Sequence, residues 1–208
     1  MKNPLISMIR RISPYIPEKS IPLLKRVLAN IDTELRVSKP RKSKLGDFRP
    51  LGTSGKSKIS INDDLNEYSF LLTLLHELAH HLCWVKHHEK VKPHGEEWKR
   101  EFESILKPFV LSNVFPVDVS LATWNYLKDP KASSCSDENL YKTLRNYDFA
   151  KDGSVYVSDI VIGQRFEYLD KGLFEVLAKK RKRVLCLSIE KKKQYLFQPT
   201  VSVNLVHL

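Results

Sequence analysis

"LLTLLHELAHHLCWVKHHEKVKPHGEEWK", residues 71–99, holds six of the chain's seven histidines, and its reading decides the fold. Leu71, Leu74, Leu75, Leu78, Leu82 and Val85 recur at helical spacing, which predicts a long core helix from about residue 64 to residue 86. A second stripe interrupts the leucines with Thr73, His76, Glu77 and His80. Polar side chains on so apolar a helix face a cleft, where burial demands partners.

His76 and His80 stand four residues apart, so both imidazoles project from one face about a turn apart. One tetrahedral zinc fits between two such rings, with Glu77 beside the open coordination position. "HELAH" is therefore the HExxH signature of zincins. A third ligand is required, and helix geometry sorts the candidates. His81 points about 100° away from His80 around the axis. His87 keeps the face but lies roughly 10 Å further along it at 1.5 Å per residue, and His88 fails on both counts. The metzincin pattern is missing, because Cys83 stands in place of its glycine and Lys86 in place of its third histidine. His94 precedes Trp98 by four residues and shares the inward side of a second helix that buries Trp98, Phe102 and Ile105. It is the expected third ligand, with Glu97 and Glu101 as the competing carboxylates. Glu101 could otherwise orient a ligand. His81, His87 and His88 are read as surface or supporting residues.

Such a site holds one Zn2+ per chain and keeps a position for water, whose pKa zinc lowers toward 7. Glu77 is the expected catalytic base, taking the proton and passing it to the leaving amine. The reaction class is metal-dependent hydrolysis of a peptide bond. By analogy of fold the substrate adds as a strand along a sheet edge, with "SKISIN" (57–62) as the candidate edge.

Around this helix the chain reads as α+β. Residues 4–31 look helical, and "TELRVS", "SKLGDFR" and "SKISIN" read as the strands of a small antiparallel sheet, with "RPLGTSGK" as a turn. A second helix is expected from Glu96 to Lys107, stopped by Pro108, and further helices over about 118–128 and 138–146. "DPKASSCSDENL" reads as a polar loop. Beyond residue 150, "LFEVLA", "RVLCLSI", "QYLFQP" and "TVSVNLV" alternate like a small all-β, barrel-like domain. Two domains are expected, a metalloprotease domain over 1–150 and a basic β-rich domain over 151–208.

A hydrophobic content of 42% with 28% charged residues describes a folded soluble chain. No run is long and apolar enough for a membrane span, and the N-terminus lacks the unbroken apolar core of an export signal. Cys83, Cys135 and Cys186 are too scattered for a disulfide framework and suit a reducing cytoplasm, where association with the nucleoid would be open to the protein. The net charge of +11 is uneven: +10 over residues 1–60, −4 over 61–150 and +5 over 151–208. Two basic flanks point to a polyanionic partner, most simply nucleic acid.

"FLLTLLHELAHHL" followed by "HGEEWK", with "KLGDFR" and "ISINDDLN" upstream, resembles the SprT-like domain, the metalloprotease domain of the Spartan group of DNA-dependent proteases. The resemblance spans residues 1–150, and the segment from Arg165 to Pro199 resembles the β-rich tail of short bacterial SprT-like proteins. It implies His76, His80 and His94 as zinc ligands and Glu77 as the catalytic glutamate. It also implies protein substrates associated with or crosslinked to DNA. The cysteine zinc ribbon that many such proteins carry cannot be built here, so nucleic-acid binding falls to the basic turns of the tail. These are Lys179, Lys180, Arg181, Lys182 and Arg183, then Lys191, Lys192 and Lys193, near Tyr195 and Phe197. Aromatics among cations suit single-stranded or damaged DNA. "KPRKSK" (39–44) is a further candidate phosphate contact. The competing expectation is a zinc-containing nucleic-acid- or transcription-associated binding protein with little or no peptidase activity, which would need a fourth protein ligand.

Overall fold

The computed structural model describes residues 4–41, 43–50, 56–130, 137–148 and 154–206. Most of "RPLGTSGK", the first part of "KASSCSDENL" with Cys135, and Lys42 lie outside the described residues. The chain divides into two compact units, Met1–Asp148 and Phe149–Leu208.

The first unit contains six α-helices among its described residues: α1 (Pro4–Ile12), α2 (Ile21–Leu28), α3 (Glu67–His87), α4 (Glu96–Leu111), α5 (Val117–Tyr126) and α6 (Glu138–Arg145). Its sheet comprises β1 (Thr33–Ser38), β2 (Gly46–Arg49) and β3 (Ser57–Asn62). The strand order is β1-β3-β2, with β1 parallel and β2 antiparallel to β3. The sheet is thus mixed, which corrects the expected antiparallel meander. The reason lies in burial: Ile59 and Ile61 of β3 are wholly buried, so β3 takes the centre with Leu35 of β1 packed beside it. Parallel neighbours need a crossover, and β2 with its flanking links provides it. Arg41 fastens the link, donating to Asn62 Oδ1 at 2.8 Å and to Ser60 Oγ at 3.0 Å. "SKISIN" is therefore a central strand paired on both sides, and β1 and β2 are the edges.

α3 is the pillar of this unit. Asn66 caps its start, the side-chain oxygen accepting the Ser69 N–H at 2.9 Å, a contact worth about 1 kcal/mol. The same side chain donates to Leu144 O and Asp148 Oδ1, tying the helix entry to the end of α6. Phe70, Leu71, Leu74, Leu75 and Leu78 are buried completely. A helix so apolar on most sides can only be central. The stripe stops short of the expected position, since Val85 is 52% exposed where the helix leaves the core.

α4 packs against α3 through Trp98, Phe102, Ile105 and Phe109, each full burial contributing roughly 1.5–3 kcal/mol. The helix runs through Pro108 instead of stopping before it. Proline removes one helical hydrogen bond, but ending the helix there would unpack Phe109, which is fully buried.

In the second unit, β4 (Val155–Tyr156), β5 (Arg165–Glu167), β6 (Leu173–Lys180), β7 (Arg183–Ser188), β8 (Gln194–Phe197) and β9 (Ser202–Val206) form one sheet in the order β4-β9-β5-β6-β7-β8. All its pairings are antiparallel. Alternate residues Phe174, Val176, Val184 and Cys186 are buried against Phe166 and Phe197, as period-2 side chains on one face must be. Among the described residues no pairing joins β8 to β4, so the sheet is open. No helix is long and apolar enough to cross a membrane among the described residues.

Candidate metal centre

His76 and His80 project from α3 one turn apart, and His94 arrives from the turn ahead of α4. The three Nε2 atoms lie 3.2 Å (His76–His80), 2.9 Å (His80–His94) and 3.2 Å (His76–His94) apart. Burial pushes His76 well below the usual imidazole range, reinforced by its histidine neighbours. Burial likewise lowers His80 to about 4 and depresses His94. The rings are neutral at pH 7, so each Nε2 either carries a proton or bears a lone pair. With three mutually close atoms and two states, at least one pair must match, proton facing proton or lone pair facing lone pair. Hydrogen bonding cannot satisfy this arrangement, and a cation can. Tetrahedral zinc with Zn–N near 2.0–2.1 Å would hold such nitrogens about 3.3–3.4 Å apart, close to the observed spacing. The donor set fits the metal.

The position of His94 depends on a tight turn. Gly95 N–H donates to Lys92 O at 2.9 Å, with Pro93 second and His94 third, where φ is +57°. Pro93 suits the second place of a type II turn, but the third favours glycine. A side chain there costs about 1–3 kcal/mol, strain of the kind that gathers at functional sites. Trp98 then walls the cluster from the core, its ring centroid 4.6, 5.3 and 4.8 Å from those of His76, His80 and His94. His94→Ala is expected to weaken zinc binding by more than the roughly 10–100-fold that losing a supporting hydrogen bond costs. Competition with a chromophoric chelator measures it, and unchanged affinity would remove His94 from the ligand set.

Glu77 is 7% exposed and opens onto the same cavity as the histidines, about 250 Å³ in volume, which Gly46, Asp47 and Phe48 of β2 close from the other side. Phe48 N–H donates to its carboxylate. Burial, then the charge of Asp47, raises the Glu77 carboxyl from 4.5 to about 7, against the opposing pull of Arg41, the Phe48 N–H and Lys44. Burial also works to raise Asp47, but hydrogen bonds from Lys44 and Arg49 outweigh it and hold that carboxyl below its ordinary value. Gly46 is required by close approach: a Cβ there would sit 2.5 Å from Glu77 Oε1 and 2.7 Å from Thr73 Cγ2. Sequence reasoning missed these β2 residues. The available signal was a glycine inside the strand "KLGDFR", which marks close backbone contact.

Other candidates lie elsewhere. Glu101 pairs with Lys86 at 2.6 Å, and Glu97 has Arg100 at 3.8 Å. Among the described residues His76, His80 and His94 form the one group of potential metal ligands. His81 is buried, its Nδ1 2.8 Å from Ser57 Oγ and its ring edge-on to Phe48, so it is a core residue joining α3 to β3 and not a surface one. His88 is exposed and meets Trp84 edge-on at 5.1 Å. Of the described cations of "KPRKSK", Arg41 is engaged with β3, Lys44 pairs with Asp47 at 2.7 Å and Lys39 is exposed.

In the second unit, Lys179, Lys180, Arg181 and Lys182 are exposed at the β6–β7 hairpin, with Arg183 half-buried behind them. Lys191, Lys192 and Lys193 are exposed at the β7–β8 hairpin. Successive hairpins of a meander lie at opposite ends of the shared strand. The two runs are therefore separated by the length of β7, on the order of 20 Å, and do not merge into one surface.

A long helix carrying an HExxH pair against a mixed sheet, with a third histidine delivered by the entry turn of the next helix, defines the class of this α+β unit. Residues 25–120 match the model of the SprT-like family. The match is narrower than the resemblance over 1–150 and leaves the second unit outside it. Comparison with curated proteins gives no match, and comparison with solved structures gives none either.

Proposed function

We propose that the chain is a zinc-dependent peptidase of the zincin kind. The observation that carries this reading is the convergence of three neutral imidazole nitrogens on one cavity, with a buried carboxyl poised at about 7 opening onto it. His76, His80 and His94 would hold the metal, and zinc when bound supplies a Lewis acid and an activated water at neutral pH. Three protein ligands among the described residues are the count of a catalytic site, since a structural zinc has four.

The chain's own residues supply the rest. Glu77 takes a proton from water at its carboxylate and delivers it to the departing amide nitrogen, a task suited to a group poised near neutrality. Phe48 N–H helps hold the carboxylate where it opens onto the cavity. Asn62 N–H donates to Leu45 O at 2.9 Å, which puts Leu45 among the residues bonded to β3 and turns the backbone groups of Gly46 and Phe48 outward. An extended peptide adds along that edge of β2, beside the histidines, through the backbone groups of Gly46 and the Phe48 carbonyl, since the Phe48 N–H is held by Glu77. The test is zinc content with proteolysis of a denatured protein, before and after chelation. A purified chain that binds no metal would defeat the reading.

The proposed substrates are proteins held on nucleic acid. Support comes from the net charge of +11 and from the exposed lysines of the two hairpins. Affinity for single-stranded DNA is expected to fall steeply with salt. Reversing Lys179, Lys180 and Lys182 to Glu should reduce the logarithmic salt slope by about 1 for each lost phosphate contact. Reversing 191–193 separately tells the two ends of the sheet apart. Binding indifferent to salt and to both reversals would leave the peptidase without a nucleic-acid partner.

A further inference from the structure

Two cavities flank the histidine cluster, and their order along the chain gives the cleft a direction. The first, about 210 Å³, is lined by Leu72, Thr73 and Glu77 on α3 and by Leu45 and Gly46 on the other wall. The second, about 300 Å³, is lined by His80, Cys83 and Trp84 on α3 and by Phe48 and Pro50. Moving from one to the other, residue numbers rise on both walls. β2 thus runs alongside α3 in the same sense, with the metal centre between the two hollows.

The second hollow is the more apolar. Beyond the residues named, Val91, Pro93 and Trp98 close it, and Lys92 and the exposed His88 stand with them in the lining. It shares His80 and Trp98 with the metal centre, so whatever enters it lies next to the reacting bond. Successive residues of an extended peptide advance about 3.3 Å, so a chain lying along β2 brings the residue beside the scissile bond to its mouth.

We propose that this hollow is the specificity pocket of the peptidase and receives a bulky apolar side chain, such as Phe, Leu or Met, from a residue flanking the cleaved bond. The proposal rests on the peptidase reading above. Aromatic and aliphatic walls reward apolar area, and Lys92 adds repulsion against lysine and arginine. Cys83 and Trp84 occupy the next turn of α3 after His80, so the helix that carries two proposed ligands also shapes the pocket.

The experiment uses the zinc-loaded full chain and a peptide library randomised at the two residues flanking the bond, read by mass spectrometry. Phe, Leu or Met is expected at one of them with kcat/KM about 100-fold above Gly, and Lys and Arg are expected to be depleted. Val91→Glu should retain zinc and shift that position toward Lys and Arg. A parallel measurement needs no turnover: calorimetric binding of phenylalanine, lysine and glycine hydroxamates should rank phenylalanine tightest on wild type and lose that rank in Val91→Glu. Cleavage with no preference at either residue, or hydroxamates bound alike, would overturn the pocket while leaving the peptidase standing. Ranked hydroxamate binding without any cleavage would overturn the peptidase and keep the pocket.

Discussion

Glu77→Gln is expected to abolish peptide hydrolysis, with kcat falling by about 10²–10⁴-fold, while zinc remains bound. The amide keeps the shape of the side chain and its contact with the Phe48 N–H but cannot accept a proton from water. A second effect separates this residue from a merely structural one. In the metal-free fold the Glu77 carboxyl sits at about 7 against an ordinary 4.5. Between those pH values the folded chain keeps a proton that the unfolded chain has released. Stability of the metal-free protein therefore falls as pH rises through this window, and above it the loss is roughly 3 kcal/mol. Gln escapes that loss. The metal-free variant should unfold at higher denaturant than wild type at pH 8, and the two should converge near pH 4. Hydrolysis retained by the variant would end the assignment of Glu77 as base, and equal stability at pH 8 would end the account of its burial.

Gly46→Ala should be nearly as damaging although it removes nothing. The added methyl would lie 2.5 Å from Glu77 Oε1, 2.8 Å from Glu77 Cγ and 2.7 Å from Thr73 Cγ2, all on the buried face of α3. Thr73 cannot swing aside easily, because its hydroxyl donates to Ser69 O at 2.7 Å and the residue is buried. Either Glu77 leaves its place or β2 withdraws from the helix. Overpacking of this kind costs about 1–3 kcal/mol, and an ångström of displacement at a reacting group costs about 100-fold in rate. Steady-state kinetics with thermal unfolding would measure both. Near-wild-type kcat would show that the strand and the glutamate are not in the contact described.

The helices and their apolar stripes were legible because the information is local. Leu71 to Leu78 announce α3 within two turns, and His76 and His80 share a face by arithmetic on 3.6 residues. What was not legible depends on partners distant in sequence. Nothing within "SKISIN" says that it will lie between its two neighbours, since strand order is set by how the whole sheet covers α3. The parallel pairing of β1 with β3 follows from that order. The end of α4 was misplaced because the proline rule is local, whereas the burial of Phe109 is tertiary. Whether His81 lies at the surface or supports the fold was not legible, because its partner, Ser57, lies on β3. The two basic turns lie within a dozen residues of each other in sequence, yet one strand carries them to opposite ends.

The third histidine has a different mechanical standing from the other two. His76 and His80 are set by the α3 backbone and are in register once that helix exists. His94 depends on a single strained turn, closed by Gly95 N–H on Lys92 O. Capture of a cation by the first pair would act as a clasp on that turn, drawing the segment after α3 against its side and tensioning the start of α4. A cation held by all three nitrogens would tie that turn to α3, and with it Val91 and Pro93, which line the apolar hollow.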